Sequence, residues 1–349
     1  MTMPSLTTRR CAQFVIGILA SSAPVLAGGM PPDYGFQWAT ITHPGNAPYS
    51  VPPNIGQPRT VGRVDYVYRI SKTEMSAADW APFANANLRI GDPWEIGLEA
   101  YFGQMLDIGP GGVLQPRTDI PAGDRLNLGS VTWYDAARYC NWLHNGKTET
   151  REAMEYGAYD LRHVPANPPS NITPPTRLPG ATFFIPTGDE WVKAVHFDPN
   201  RYGTEQPGYW DYPYSSNLPP VPGPVGVGTT NAGYFPDGTD PLAFRVGAYS
   251  DVVAPWGLLD ASGGRSEWLE TPSSFGLPTR GYDGFASGRL QSPNDLSLDH
   301  TARTGQEIPH SRWFWLGFRV ASIPAPGHAL IWVGLGAWLH RRTKRRPAS

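Results

Sequence analysis

Residues 131–146 read VTWYDAARYCNWLHNG, and they decide the fold. Trp133, Ala136, Ala137, Cys140 and Leu143 recur at intervals of three and four, the spacing of one helical face. Thr132 stands where an N-cap hydroxyl belongs, and Asp135 follows at the capping-box position. Gly146 can turn out of a helix at positive φ. The spacing predicts a buried helix that ends near His144. Cys140 then reads as a small core hydrophobe rather than a reactive thiol. His144 reads as a dipole partner of the last turn or a surface residue, since no second ligand-type residue lies one turn away.

Working outward, VDYVYRIS (64–71) alternates and is rich in β-branched and aromatic residues, which predicts a strand. Ser76 with Asp79 three residues on predicts a helix start, with Trp80 and Phe83 on one face. Pro82 is expected to shorten or kink that helix. FFIPTGDEWVKAV (183–195) predicts a short strand, then a helix capped by Thr187 and boxed by Glu190, with Trp191, Ala194 and Val195 inward. WGLLDASGGRSEWLE (256–270) sets Glu267 and Trp268 just beyond a glycine turn. Residues 165–179 are proline-rich, and 198–256 are mostly Gly, Pro, Asn, Asp and Tyr. A loop of that length is functional or ordered by a ligand or metal.

The 349 residues carry 13 Trp and a hydrophobic fraction of 40%, enough for a packed core, while 39 Gly and 38 Pro predict a chain rich in loops. No internal repeat and no interior linker is apparent. The charges are unevenly placed. Arg9 and Arg10 lie near one end, and Arg341, Arg342, Lys344, Arg345 and Arg346 near the other. The remaining 21 basic residues face 30 acidic ones, so the body is acidic and a nucleic-acid partner is not expected. Residues 1–27 have the three parts of a secretory signal: Arg9-Arg10, the apolar run from Phe14 to Ala20, and Val25-Leu26-Ala27 at the cleavage position. An irregular lead-in follows over 28–60. Cys11 would leave with the signal, so Cys140 would remain alone and no intramolecular disulfide would form. Near the other end, Ile323 to Gly327 is followed by an apolar run, His328 to Leu339, and then RRTKRR, the pattern of a short membrane tether held by basic residues.

Seven stretches, VDYVYRISKTEMS, VTWYDAARYCNWLHNG, GAYDL, FFIPTGDEWVKAV, WDYP, WGLLDASGGRSEW and WLGFRVA, together resemble the formylglycine-generating enzyme family, also called the sulfatase-modifying factor domain. They run in the family's order. The resemblance implies an α+β fold: a single C-type-lectin-like domain over 61–321, loop-rich with little regular secondary structure. The end of the chain, 323–346, resembles a PEP-CTERM sorting signal with Ala325 where that signal has glutamate. This implies an exosortase-type partner, a cell-envelope or surface location and a bacterial source.

Active members of the family oxidise a sulfatase cysteine to formylglycine with O2 and copper(I). Two thiolates hold the metal, soft ligands of the kind that selects copper(I). Those cysteines lie between an Arg-Gly and a Gly-Phe-Arg frame, here Arg280-Gly281 and Gly317-Phe318-Arg319. The interval contains no cysteine; Ala286 and Gln291 stand near the two places. Copper is therefore not expected. The resemblance also implies calcium, with Asn231 and Asp240 as candidate ligands at one site; Gly264 and Arg265 stand where the second site has other residues.

Two functions remain. One is an exported, non-catalytic binding or structural module. Arg280, Tyr282, Asp283, Arg289, Asp295, His300, Arg303 and His310 are its candidate cleft residues, and a surface glycan or a protein is its ligand. The other is a metal-dependent oxidase of the same superfamily, using iron or copper on a different substrate, with His300, His310 and Asp283 or Asp295 as its metal set. A Ser-His-Asp hydrolase has little support, since no Gly-x-Ser-x-Gly elbow is present.

Overall fold

The structure is a computed structural model. It describes residues 30–52, 59–91, 105–165, 173–231, 234, 245–272, 278–280, 305–306, 309–313 and 315–323. In chain order the elements are β1 (Trp38–Ile41), β2 (Tyr49–Ser50), β3 (Thr60–Val61), β4 (Tyr68–Ser71), α1 (Ala77–Arg89), β5 (Leu106–Ile108), β6 (Leu114–Pro116), α2 (Trp133–His144) and α3 (Arg151–Glu155). They continue with β7 (Phe183–Phe184), α4 (Gly188–His196), β8 (Phe197–Asp198), β9 (Gly208–Tyr209), β10 (Ser266–Pro272), β11 (Pro278–Arg280), β12 (Gly305–Gln306), β13 (Leu316–Gly317) and β14 (Ala321–Ser322). Among the described residues the strands are short and the sheets small, joined by irregular segments.

Two four-stranded sheets organise these pieces, in the orders β1-β4-β14-β7 and β12-β11-β10-β13. In the first, β4 lies between β1 and β14 and is antiparallel to both. All four residues of β4 are buried, although the alternation of 64–71 predicts a half-exposed strand starting at Val64. Residues 65–67 are instead an exposed lead-in. The period of two was misleading because a strand covered on both faces has no solvent side to alternate with. In the second sheet β13 runs parallel to β10, with Ser266 opposite Leu316 and Glu267 opposite Gly317. The chain's last described strands thus complete sheets begun far earlier.

The three longer helices each start at a full capping box: Ser76 with Asp79, Thr132 with Asp135, and Thr187 with Glu190. The hydroxyl accepts an orphan backbone N–H and the carboxylate returns to the cap's own N–H. α1 runs 13 residues straight through Pro82. Pro82 is exposed, so the carbonyl that loses its partner faces water and the helix survives. α2 ends as expected, with Gly146 at φ +69° just beyond the Asn145 cap.

α2 is buried far beyond one face. Asp135, Arg138 and Asn141 are as enclosed as Trp133 and Cys140. Asn141 Nδ2 donates to the carbonyls of Met154 and Tyr159, and its Oδ1 accepts from the Tyr159 N–H. Arg138 donates to Glu155. Buried polar groups persist here because each finds a partner. His144 corrects the dipole reading: its Nδ1 accepts the Thr182 N–H at 3.2 Å, so that nitrogen carries no proton. Burial also pushes its pKa down.

Fully buried Trp80, Trp133, Trp191 and Trp268 fill the core between helices and sheets. Trp80 stacks on Tyr139 at 5.5 Å and meets Phe318 edge-on, tying α1, α2 and the Gly317-Phe318-Arg319 frame together. Truncating one such ring would cost about 3–5 kcal/mol.

Candidate functional site

Most of the candidate cleft residues, Tyr282, Asp283, Arg289, Asp295, His300 and Arg303, lie outside the described residues, as does Asp240. Arg280 closes β11, its backbone opposite Trp268 and Gly305. His310 is exposed. What the structure does place is the rim of that segment. Trp133 N–H donates to the Pro309 carbonyl, Ser130 N–H to the Trp313 carbonyl, and Arg312 lies 3.0 Å from the Asp135 carboxylate. The end of the interval is thereby docked on the N-terminus of α2. Trp313 and Trp315 stack face to face at 4.9 Å.

Beneath the frame lies a buried ion cluster. Arg319 is fully enclosed; its Nε donates to Glu267 Oε1 at 2.8 Å, Nη1 to the Lys72 carbonyl and Nη2 to the Leu259 carbonyl. Glu267 Oε2 accepts from Trp191 Nε1 at 2.8 Å, so both its oxygens are engaged. Glu74, between β4 and α1, accepts the Arg265 N–H at 2.7 Å. Asp260 holds an αL position at φ +57° and accepts the Gly247 N–H at 2.6 Å.

Burial is the largest influence on all three carboxyls and pushes each upward; the Arg319 charge opposes it. Glu74 rises well above the carboxylate range, helped by the charges of Glu267 and Asp260. Asp260 is pushed up to about 6. The geometry agrees. Asn127 Nδ2 reaches Glu74 Oε2 only at 3.5 Å, and Asn127 Oδ1 has no protein partner. Turning that amide over would let a protonated Glu74 donate to Oδ1.

Glu74, Asn127, Asn231, Asp260, Ser262 and Gly264 line a crevice of about 10 Å³. That is room for one water-sized, hydrogen-bonding occupant. Asn231 Nδ2 is a second buried atom without a protein partner. Asn231 Oδ1 accepts the Gly264 N–H at 2.9 Å. A Cβ on Gly263 would lie 1.9 Å from that oxygen, and a Cβ on Gly264 would lie 2.4 Å from Glu74 Oε1. Both glycines also have positive φ, near +80° and +67°. The glycine pair is thus set by close approach and by backbone conformation together.

Copper and calcium are the metals that the family resemblance implies. For copper the fit fails, because the interval between the frames holds no thiol. Cys140 is fully buried on α2, and burial raises its pKa well above normal, the opposite of a ligating thiolate. For calcium, Asn231 Oδ1 retains one lone pair beside its bond to Gly264, while both oxygens of Glu267 already accept a hydrogen bond, from Arg319 and from Trp191. Among the described residues no three His, Cys, Asp or Glu side chains converge as a metal set.

Sequence reading missed Glu74, Asn127 and Asp260. Asp260 beside glycine-rich turns reads as a turn residue, and Glu74 before a capped helix reads as a solvated charge. The available signal was Glu74 set between a predicted strand and a predicted N-cap.

The class defined by these features is a loop-rich α+β domain built of small sheets around a buried arginine–carboxylate cluster. The chain matches the sulfatase-modifying factor enzyme 1-like (FGE-sulfatase) domain over residues 41–323, and it belongs to that family. Similar solved structures include CarF, 17% identical over 83% of this chain and 98% of its own, with a TM-score of 0.43. Treponema denticola variable protein 1 is 17% identical over 83% and 95%, with a TM-score of 0.47. PvdO from Pseudomonas aeruginosa is 17% identical over 82% and 93%, with a TM-score of 0.39. No curated protein sequence matches the chain.

Proposed function

We propose that this chain is an exported, surface-associated sulfatase-modifying-factor-like module, C-type-lectin-like in arrangement, that binds or scaffolds rather than oxidises. The observation that carries the reading is the fate of its thiols. The interval between Arg280-Gly281 and Gly317-Phe318-Arg319 has none, and Cys140 is locked in the core. A copper(I) site needs soft sulfur ligands that this chain does not bring to its frame. The export and tethering parts rest on residues 1–27 and 323–346 and on the exosortase-type partner they imply. In the binding part, the 279–316 interval presents Arg280, Tyr282, Asp283, Arg289, His300, Arg303 and His310 to a glycan or protein. Calcium held through Asn231 and Asp240 would order the loop between them.

The test is to incubate the purified full chain with copper(I), O2 and a cysteine-containing sulfatase-type peptide and follow the peptide by mass spectrometry. The expected result is unchanged peptide, with no stoichiometric copper or iron on the recovered protein. Formylglycine in the peptide would overturn the proposal, and stoichiometric iron or copper would favour an oxidase instead.

A further inference from the structure

No charged residue occurs between Asp211 and Asp237, and the middle of that stretch is a built loop with an apolar tip. Leu218, Val221, Val225 and Val227 are 73%, 58%, 58% and 80% exposed. Single exposed aliphatics are ordinary, but four within ten residues with no charge among them are not. The loop is also cross-braced by its own hydrogen bonds. Val221 N–H donates to Thr229 Oγ1 and Thr229 N–H to the Val221 carbonyl, both at 2.8 Å. Gly223 N–H reaches the Thr230 carbonyl, and the N–H groups of Val227 and Gly228 both donate to the Pro224 carbonyl. Gly223 and Gly228 touch backbone to backbone: a Cβ on Gly228 would lie 2.5 Å from Gly223 N. The aliphatic side chains are therefore held out by a closed frame, at little further cost in ordering on contact.

Tyrosines surround the base. Tyr214 Oη donates to the Leu218 carbonyl and Tyr249 Oη to the Gly223 carbonyl. Both rings are partly exposed, as is Tyr212 at the neck of the loop. An aliphatic tip above tyrosines is the depth order of a bilayer interface, with hydrocarbon-seeking groups in front and amphipathic rings at headgroup level. The hot spots of protein partners draw instead on Trp, Tyr and Arg at the centre of the contact, and this tip has none.

We propose that the 217–228 loop inserts its Leu218, Val221, Val225 and Val227 tip into the interface of a lipid bilayer. The proposal rests on the tether reading of the C-terminal apolar run and basic cluster. A tether holds the loop at high effective concentration near the surface, so shallow insertion suffices.

The test uses the full chain in a Cys11→Ser background with Val227→Cys carrying an environment-sensitive fluorophore; Cys140 is fully buried and stays unlabelled. Ile108→Cys, at a position 77% exposed on β5, serves as the control. Each is mixed with phosphatidylcholine vesicles and floated. The expected result is flotation of every variant, with a several-fold rise and blue shift of the Val227 probe that is lost on adding Leu218→Ser and Val225→Ser and is absent for the Ile108 probe. Flotation with an unchanged Val227 probe would overturn the loop proposal while leaving the tether standing. A failure to float would overturn both. A blue shift that grows with protein concentration in the absence of vesicles would assign the tip to a second copy of this chain and overturn the lipid assignment.

Discussion

Replacing Gly317 by Ala tests why the Gly317-Phe318-Arg319 frame begins with glycine. The reason is not backbone conformation, for Gly317 is not among the positive-φ residues. A Cβ there would lie 2.5 Å from the Leu128 carbonyl oxygen. Carbon–oxygen contacts settle near about 3.3 Å or beyond, so some 0.8 Å of movement is needed. Neither partner is free to supply it. β13 is paired to β10 through Ser266 and Glu267, the Leu316 carbonyl accepts from Val131, and the Phe318 carbonyl accepts from Met75. Leu128 is held by its own N–H on the Met75 carbonyl at 2.8 Å. Overpacking costs about 1–3 kcal/mol. Two stretched backbone hydrogen bonds add about 1 kcal/mol each. The smaller entropy of the unfolded alanine chain returns about 0.4–1 kcal/mol. The net expectation is a loss of about 3 kcal/mol in urea unfolding followed by tryptophan fluorescence. Gly188→Ala is the control: its Cβ would meet Thr271 Oγ1 at an ordinary 3.5 Å, at the start of α4. It should be neutral or slightly stabilising. A Gly317→Ala protein within about 1 kcal/mol of the wild type would refute the close-approach argument.

Asp260 should show itself in the pH dependence of stability. Its folded pKa, pushed up to about 6, lies above its unfolded value, so its contribution is complete below about pH 4 and is lost as pH rises through 6. Asp260→Asn keeps an acceptor for the Gly247 N–H and removes the proton. Wild type should lose about 1–2 kcal/mol relative to the variant between about pH 4 and 6. A flat difference in unfolding free energy across that range would refute it. Gly264→Ala should be coupled to Glu74→Ala, because the new Cβ would sit 2.4 Å from Glu74 Oε1. A double-mutant cycle should give a coupling of about 1–3 kcal/mol, with the clash absent once Glu74 is gone. Additivity within about 0.5 kcal/mol would show that the carboxylate swings aside.

The sequence by itself determined the three longer helices, their caps and the family; α3 was not read from it. Ser76, Thr132 and Thr187 with their acids at N3, and Gly146 beyond α2, act within a few residues, so local chemistry is enough to read them. It also determined the absence of thiols between the frames, because composition needs no coordinates. Only the tertiary structure decided that β4 is covered on both faces, that His144 accepts a hydrogen bond instead of carrying charge, and that Pro82 falls on the water side of α1. The buried cluster could not be read in advance for the same reason. Glu74, Asp260, Glu267 and Arg319 meet across as many as 245 positions of chain, and each looks solvated until its neighbours remove the water. Desolvation belongs to the assembled fold, and no short stretch of residues carries it.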